Sequence, residues 1–102
     1  MNTIELIKTI ARRPGMYVDP ESTVSIYFFI QGFYFCRSLS GLLDEQDALF
    51  ADNFYHWLKN THQLEAAATW GDLLATLVAT RQDRPIDVFL GEFEQFLAAY
   101  RK

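Results

Sequence analysis

The stretch from Val24 to Leu39, VSIYFFIQGFYFCRSL, is the most apolar run in the chain. Its reading decides the fold. Gln31 interrupts it and Arg37 closes it, so it falls short of the roughly 20 apolar residues that a membrane span needs. A β-hairpin is the competing reading, because Val24–Ile30 is rich in β-branched and aromatic residues. The run is long for one strand, however, and Gln31-Gly32 is a poor two-residue hairpin turn. Helix is therefore the preferred reading. It is apolar nearly all round, and a helix of that kind is expected to be surrounded by others. Ser25, Gly32 and Cys36 fall near one azimuth. They form a stripe where a neighbour is expected to approach closely, which would explain a glycine that costs a helix about 1 kcal/mol.

Ahead of this segment the punctuation is sharp. Residues 2–13 read as a first helix, with Asn2 as cap, Glu5 completing a capping box, and Ile4, Ile7, Ile10 and Ala11 at helical spacing. The turn Arg13-Pro14-Gly15-Met16-Tyr17 ends it, because the residue before a proline is driven out of the α region. Gly15 permits a positive φ if the turn needs one. Met16, Tyr17 and Val18 read as an apolar plug that tacks this loop to the core. Asp19 and Pro20 supply a cap and a first helical residue for the long helix, and Ser40-Gly41 ends it.

Behind it, three more helices are expected. One covers roughly 46–60, with Leu49, Phe50, Phe54, Trp57 and Leu58 on one face and Asp52, His56 and Lys59 on the other. The next covers roughly 65–80, with Ala67, Trp70, Leu73, Leu74, Leu77 and Val78 inward. The last is capped by Asp83, has Pro85 in its first turn, and keeps a 3.6-residue period through Ile86, Phe89, Leu90, Phe93, Phe96, Leu97 and Tyr100. Its opposite face carries Asp87, Glu92, Gln95 and Arg101. The expected architecture is one all-α domain, a compact five-helix bundle around a central apolar helix. At 102 residues and half apolar, the chain can fill such a core without disulfide or metal.

The net charge of −4 gathers in the middle, where Asp44, Glu45, Asp47, Asp52, Glu65 and Asp72 face Lys59 alone between residues 38 and 80. Such a surface repels nucleic acid and attracts basic partners, and it also serves simply to keep a domain soluble. The single cysteine rules out an internal disulfide and fits a reducing compartment. The first residues, with Glu5 and no long apolar run, do not read as a secretory signal.

Chemistry is sparse. His56 and His62 are separated by an expected helix end and Cys36 sits on another helix, so no metal or Cys–His pair is expected. Glu45, Asp47 and Asp52 sit in polar surroundings that do not push carboxylates toward acid–base work. The glycines are isolated, so no phosphate loop is expected, and no cofactor. What remains is protein binding. Tyr55, beside the apolar face of the third helix, and Tyr27 or Tyr34 are aromatics within reach of the surface. With Asp44, Glu45, Asp47 and Asp52, Tyr55 makes the candidate partner-binding set. Two other readings stand beside it: a helical adaptor or regulatory subunit that self-associates through exposed aromatics or binds a partner, and an enzyme or small-ligand protein using a cavity beside Gly32 and Cys36.

The RPGMY segment (Arg13–Tyr17) resembles one near the start of gyrase-type ATPase domains. The match covers these residues alone, Asp19 stands where that family has glycine, and its Asn-bearing helix and glycine-rich lid are missing, so ATP binding is not expected. A broader resemblance follows the order RPGMYV, FxxGF (Phe29–Phe33), FxxWL (Phe54–Leu58), Trp70 and FLxEFxxFL (Phe89–Leu97). This order is similar to that of small bacterial proteins resembling the immunity proteins of secreted and contact-dependent toxins. The resemblance implies a non-catalytic, cytoplasmic protein that binds a cognate toxin domain, such as a nuclease, and occludes its basic active site. It carries over no binding residues; that no nucleic acid, membrane or cofactor is expected follows from the acidic charge, the short apolar run and the missing motifs.

Overall fold

In the computed structural model, residues 1–100 are described, and Arg101 lies outside them. Five helices follow in order: α1 (Thr3–Arg12), α2 (Thr23–Leu39), α3 (Glu45–Thr61), α4 (Trp70–Ala79) and α5 (Pro85–Tyr100), with a 3₁₀ turn at Pro14–Met16. No strand occurs among the described residues. The all-α bundle is thus the fold of the chain.

Local signals set most of the helix ends. Asn2 accepts a hydrogen bond from the Glu5 amide while the Glu5 carboxylate accepts one from the Asn2 amide, which completes the capping box. Arg13 sits outside the α region (φ −148°, ψ 74°) ahead of Pro14, and α1 ends there. Gly41 takes a positive φ of 68° and ends α2, with the Leu42 amide donating back to the Arg37 carbonyl. The cap of α2 differs from expectation. Ser22, not Asp19, accepts from the Ser25 amide, and Asp19 instead accepts from the Glu21 amide within the preceding turn. Similarly, α4 begins late, at Trp70 behind a Thr69 cap, which leaves Ala67 in the connection. α5 begins at Pro85, one residue beyond reach of an Asp83 cap.

The core is an aromatic stack where α3, α4 and α5 meet. Phe54 lies edge-on to Phe96 at 5.3 Å and to Trp70 at 5.5 Å, and Trp70 stacks on Phe89 at 5.3 Å. Phe50, Phe54, Phe89 and Phe96 are fully buried. α4 packs against α2, α3 and α5 and buries Trp70, Gly71, Leu73, Leu74 and Leu77, half of its ten residues, so this short helix, rather than α2, is the hub of the bundle.

α2 is not central. Only Ile26 and Ile30 of its residues are buried, while Val24, Phe28, Phe35 and Leu39 are each more than 60% exposed. The apolar content that predicted a surrounded helix instead covers an outer face. The expected stripe also fails: a side chain at Gly32 would meet nothing within 4 Å, and Cys36 is exposed. The position where two helices do approach closely is Gly71 of α4, where an added Cβ would lie 2.7 Å from the Tyr27 ring of α2. Gln31, read in sequence as a mere interruption, tethers α2 by accepting a hydrogen bond from the Trp70 indole at 3.1 Å.

Candidate functional site

The sequence places its candidate binding set at the start of α3, and the structure divides that set. Asp44 caps α3, accepting from the Gln46 and Asp47 amides, and remains exposed. Glu45 and Asp52 are exposed and lie seven residues apart, on one side of the helix.

Asp47 does not belong with them. It is 0% exposed. Its carboxylate accepts from the Thr3 amide at 2.8 Å and the Thr3 hydroxyl at 2.6 Å. It also accepts from the Asp44 amide at 2.9 Å, and from Arg37 Nε and Nη2 at 3.1 and 2.8 Å. Arg37 in turn donates to the Met1 and Leu42 carbonyls. One carboxylate therefore joins the start of α1, the end of α2 and the start of α3. Burial alone would raise its pKa. Its hydrogen bonds from Arg37, Thr3 and Asp44 outweigh burial and hold it far below the usual carboxylate range. Asp47 is thus withdrawn from the docking surface. The physical reason is that a buried carboxylate persists only when paired and hydrogen-bonded, and here every pairing is internal.

Tyr55 is half-buried, and its hydroxyl donates to the Ala67 carbonyl at 2.7 Å and accepts from the Ala67 amide at 2.9 Å. Its polar end holds the connection before α4 in place and offers nothing to a partner. Tyr27 packs edge-on against Trp70 at 4.9 Å, which makes it a helix contact.

The Arg13–Tyr17 turn behaves as structure. Tyr17 is half-buried and Val18 buried, but Met16 is 66% exposed, so only part of the expected plug reaches the core. Gly15 lies in open space, and the 3₁₀ turn needs no positive φ there.

Sequence reasoning missed a second buried acid. Glu92, assigned to the outer face of α5, is 2% exposed. It accepts from Arg81 Nη1 at 3.1 Å and pairs with His62 Nε2, which ties α5 to the connections on either side of α4. Both partners sit just past helix ends, 30 and 11 residues away in sequence, and linear spacing cannot pair them with it.

The larger omission is the outer face of α2. Phe28 and Phe35 are 66% and 61% exposed, and Leu42 and Leu43 extend the apolar surface past the helix end. α2 itself puts no charge on this face, because Arg37, its one charge, turns inward to Asp47; Asp72 of α4 borders the face beside Val24 and Phe28. The proposed small-ligand site beside Gly32 and Cys36 lies on this open surface and is not a cavity. A groove of about 340 Å³ does occur elsewhere, lined by Ile7 and Ala11 of α1 and by Phe93 and Leu97 of α5. Among the described residues no group of three or more His, Cys, Asp or Glu side chains could hold a metal ion, and no helix is long and apolar enough to cross a membrane.

In comparisons with known proteins, no family model matches the chain, and neither a curated protein nor a solved structure does.

Proposed function

We propose that this chain is a non-catalytic protein-binding protein. The observation that carries this reading is the uncharged apolar face of α2, since patches of this size on a folded domain mark interaction surfaces. The resemblance to immunity proteins supplies the more specific form. The chain neutralises a cognate bacterial toxin domain in the cytoplasm by covering its active site. Asp44, Glu45 and Asp52 are the exposed acids that would meet a basic toxin, raising its association rate and fixing its orientation.

Co-expression with a toxin domain from a gene neighbouring this one in its native genome tests this reading. Wild type should restore growth. The Glu45→Lys/Asp52→Lys variant should fold normally and protect poorly. Full protection by that variant would exclude the acidic surface, and no protection by wild type would exclude the toxin function.

Self-association is the second reading, favoured by the same α2 face. A neutral surface offers a basic toxin no charge to recognise, whereas it suits an equally neutral partner.

A further inference from the structure

We propose that the outer face of α2 pairs antiparallel, across a two-fold axis, with the same face of a second copy of this chain. Val24, Phe28, Phe35 and Leu39 fall within an arc of about 60° at 100° per residue. Each is strongly exposed.

Their spacing is palindromic. Val24 and Leu39 are equally distant from the point midway between Gln31 and Gly32, and so are Phe28 and Phe35. A two-fold axis through that point sets Phe28 beside Phe35 of the second copy, and Val24 beside Leu39. An isologous interface requires this reciprocity, in which i meets j and j meets i. At the crossing point stands Gly32, with nothing within 4 Å of the position its Cβ would take. Two backbones can approach closely there.

Charge and area favour the same occupant. Each copy carries a net charge of −4, yet the α2 stripe itself contributes none and the nearest acid, Asp72 of α4, borders it only at the Val24–Phe28 end, so the centre of the pairing is free of repulsion. With Leu42 and Leu43 following the helix end, the exposed apolar area is on the order of 700 Å², near the roughly 800 Å² per partner of a standard stable interface. Aromatic side chains at the centre and no charge there match the composition of interface cores.

Sedimentation over a micromolar concentration series tests the dimer. Wild type should dimerise, and its Tm should rise with concentration. Phe35→Asp should weaken association by at least about a hundredfold, since each substitution is made twice across the axis. Its far-ultraviolet circular dichroism should stay that of wild type. Asp52→Lys should leave the dimer intact. Orientation is read by disulfide trapping in a Cys36→Ser background. Val24→Cys and Leu39→Cys chains should crosslink when mixed, and neither should crosslink alone.

Crosslinking of either chain alone would mean parallel pairing and would overturn the antiparallel arrangement. A dimer that traps in neither experiment, or that survives Phe35→Asp, would overturn the α2 pairing. The inference rests on the reading of α2 as a protein-binding face, and the two fail differently. A monomeric wild type whose toxin protection is lost in Phe35→Asp removes the dimer and keeps the binding face. A monomer that protects equally well with and without Phe35 removes both.

Discussion

α2 and α5 have nearly the same length, 17 and 16 residues, and both consist mainly of apolar side chains. α5 stands among α2, α3 and α4 and buries Ile86, Val88, Phe89, Phe93, Phe96 and Leu97. α2 buries only Ile26 and Ile30 and is held at its inner side by specific contacts: Tyr27 against Gly71, Gln31 to Trp70, and Arg37 to Asp47. Apolar content therefore does not rank helices by depth. The side that carries the anchoring groups meets the bundle, and an apolar residue elsewhere on the helix is left for another molecule.

The sharpest test of this contrast exchanges one phenylalanine from each helix for alanine. Phe89→Ala empties a fully buried site and should cost about 3–5 kcal/mol in chemical denaturation. Phe28→Ala, measured at low concentration, should change stability by no more than about 0.5 kcal/mol. Equal losses would mean that the outer face is packed in solution even without a partner.

The Asp47 junction comes next. Asp47→Ala strips the buried partner from Arg37 and should cost about 3 kcal/mol, the low end for a broken buried pair because Arg37 keeps two carbonyl acceptors. Its pH signature has a defined sign. The folded carboxyl is held below its ordinary value, so its contribution is fully present above about pH 4 and is lost as pH falls beneath that. Thermal melts from neutral to acid pH should show wild type losing stability more steeply below pH 4 than Asp47→Asn. Parallel curves would mean that the junction is not formed.

A pair of glycines gives smaller effects of opposite sign. Gly71→Ala drives a Cβ into the Tyr27 ring and should cost about 1–3 kcal/mol. Gly32→Ala meets open space and should gain up to about 1 kcal/mol in the monomer through helix propensity. If both stabilise, α4 and α2 do not approach as closely as described. A gain comparable to that at Gly32 is expected at Gln63, which takes a left-handed φ of 53° just after α3. Gln63→Gly should gain at most about 1 kcal/mol, read as a rise in Tm.

The candidate site was legible only in part. Asp44, Glu45 and Asp52 are exposed as expected. Asp47 reads with them as an acid in an acidic run, and its one local mark, its place three residues after Asp44 in the α3 capping box, does not predict burial. What distinguishes it is Thr3 and Arg37, 44 and 10 residues away in sequence. Tyr55 looked free for the same reason, and its partner Ala67 sits in a connection that the sequence read as helix. The α2 face was visible as apolar residues but was assigned inward, since a hydrophobic run carries no statement of which molecule covers it.

By itself the sequence determined the local grammar: the Asn2–Glu5 box, the stop at Arg13-Pro14, the Gly41 terminus, the 3.6-residue period of α5, and hence an all-helical chain. These rest on steric and hydrogen-bonding rules that act over three or four residues. Tertiary structure alone decided which apolar face was buried, which acid became a junction and which glycine was crowded. Each of those depends on the neighbour that long-range packing brings to a given azimuth, and no short-range rule contains that neighbour.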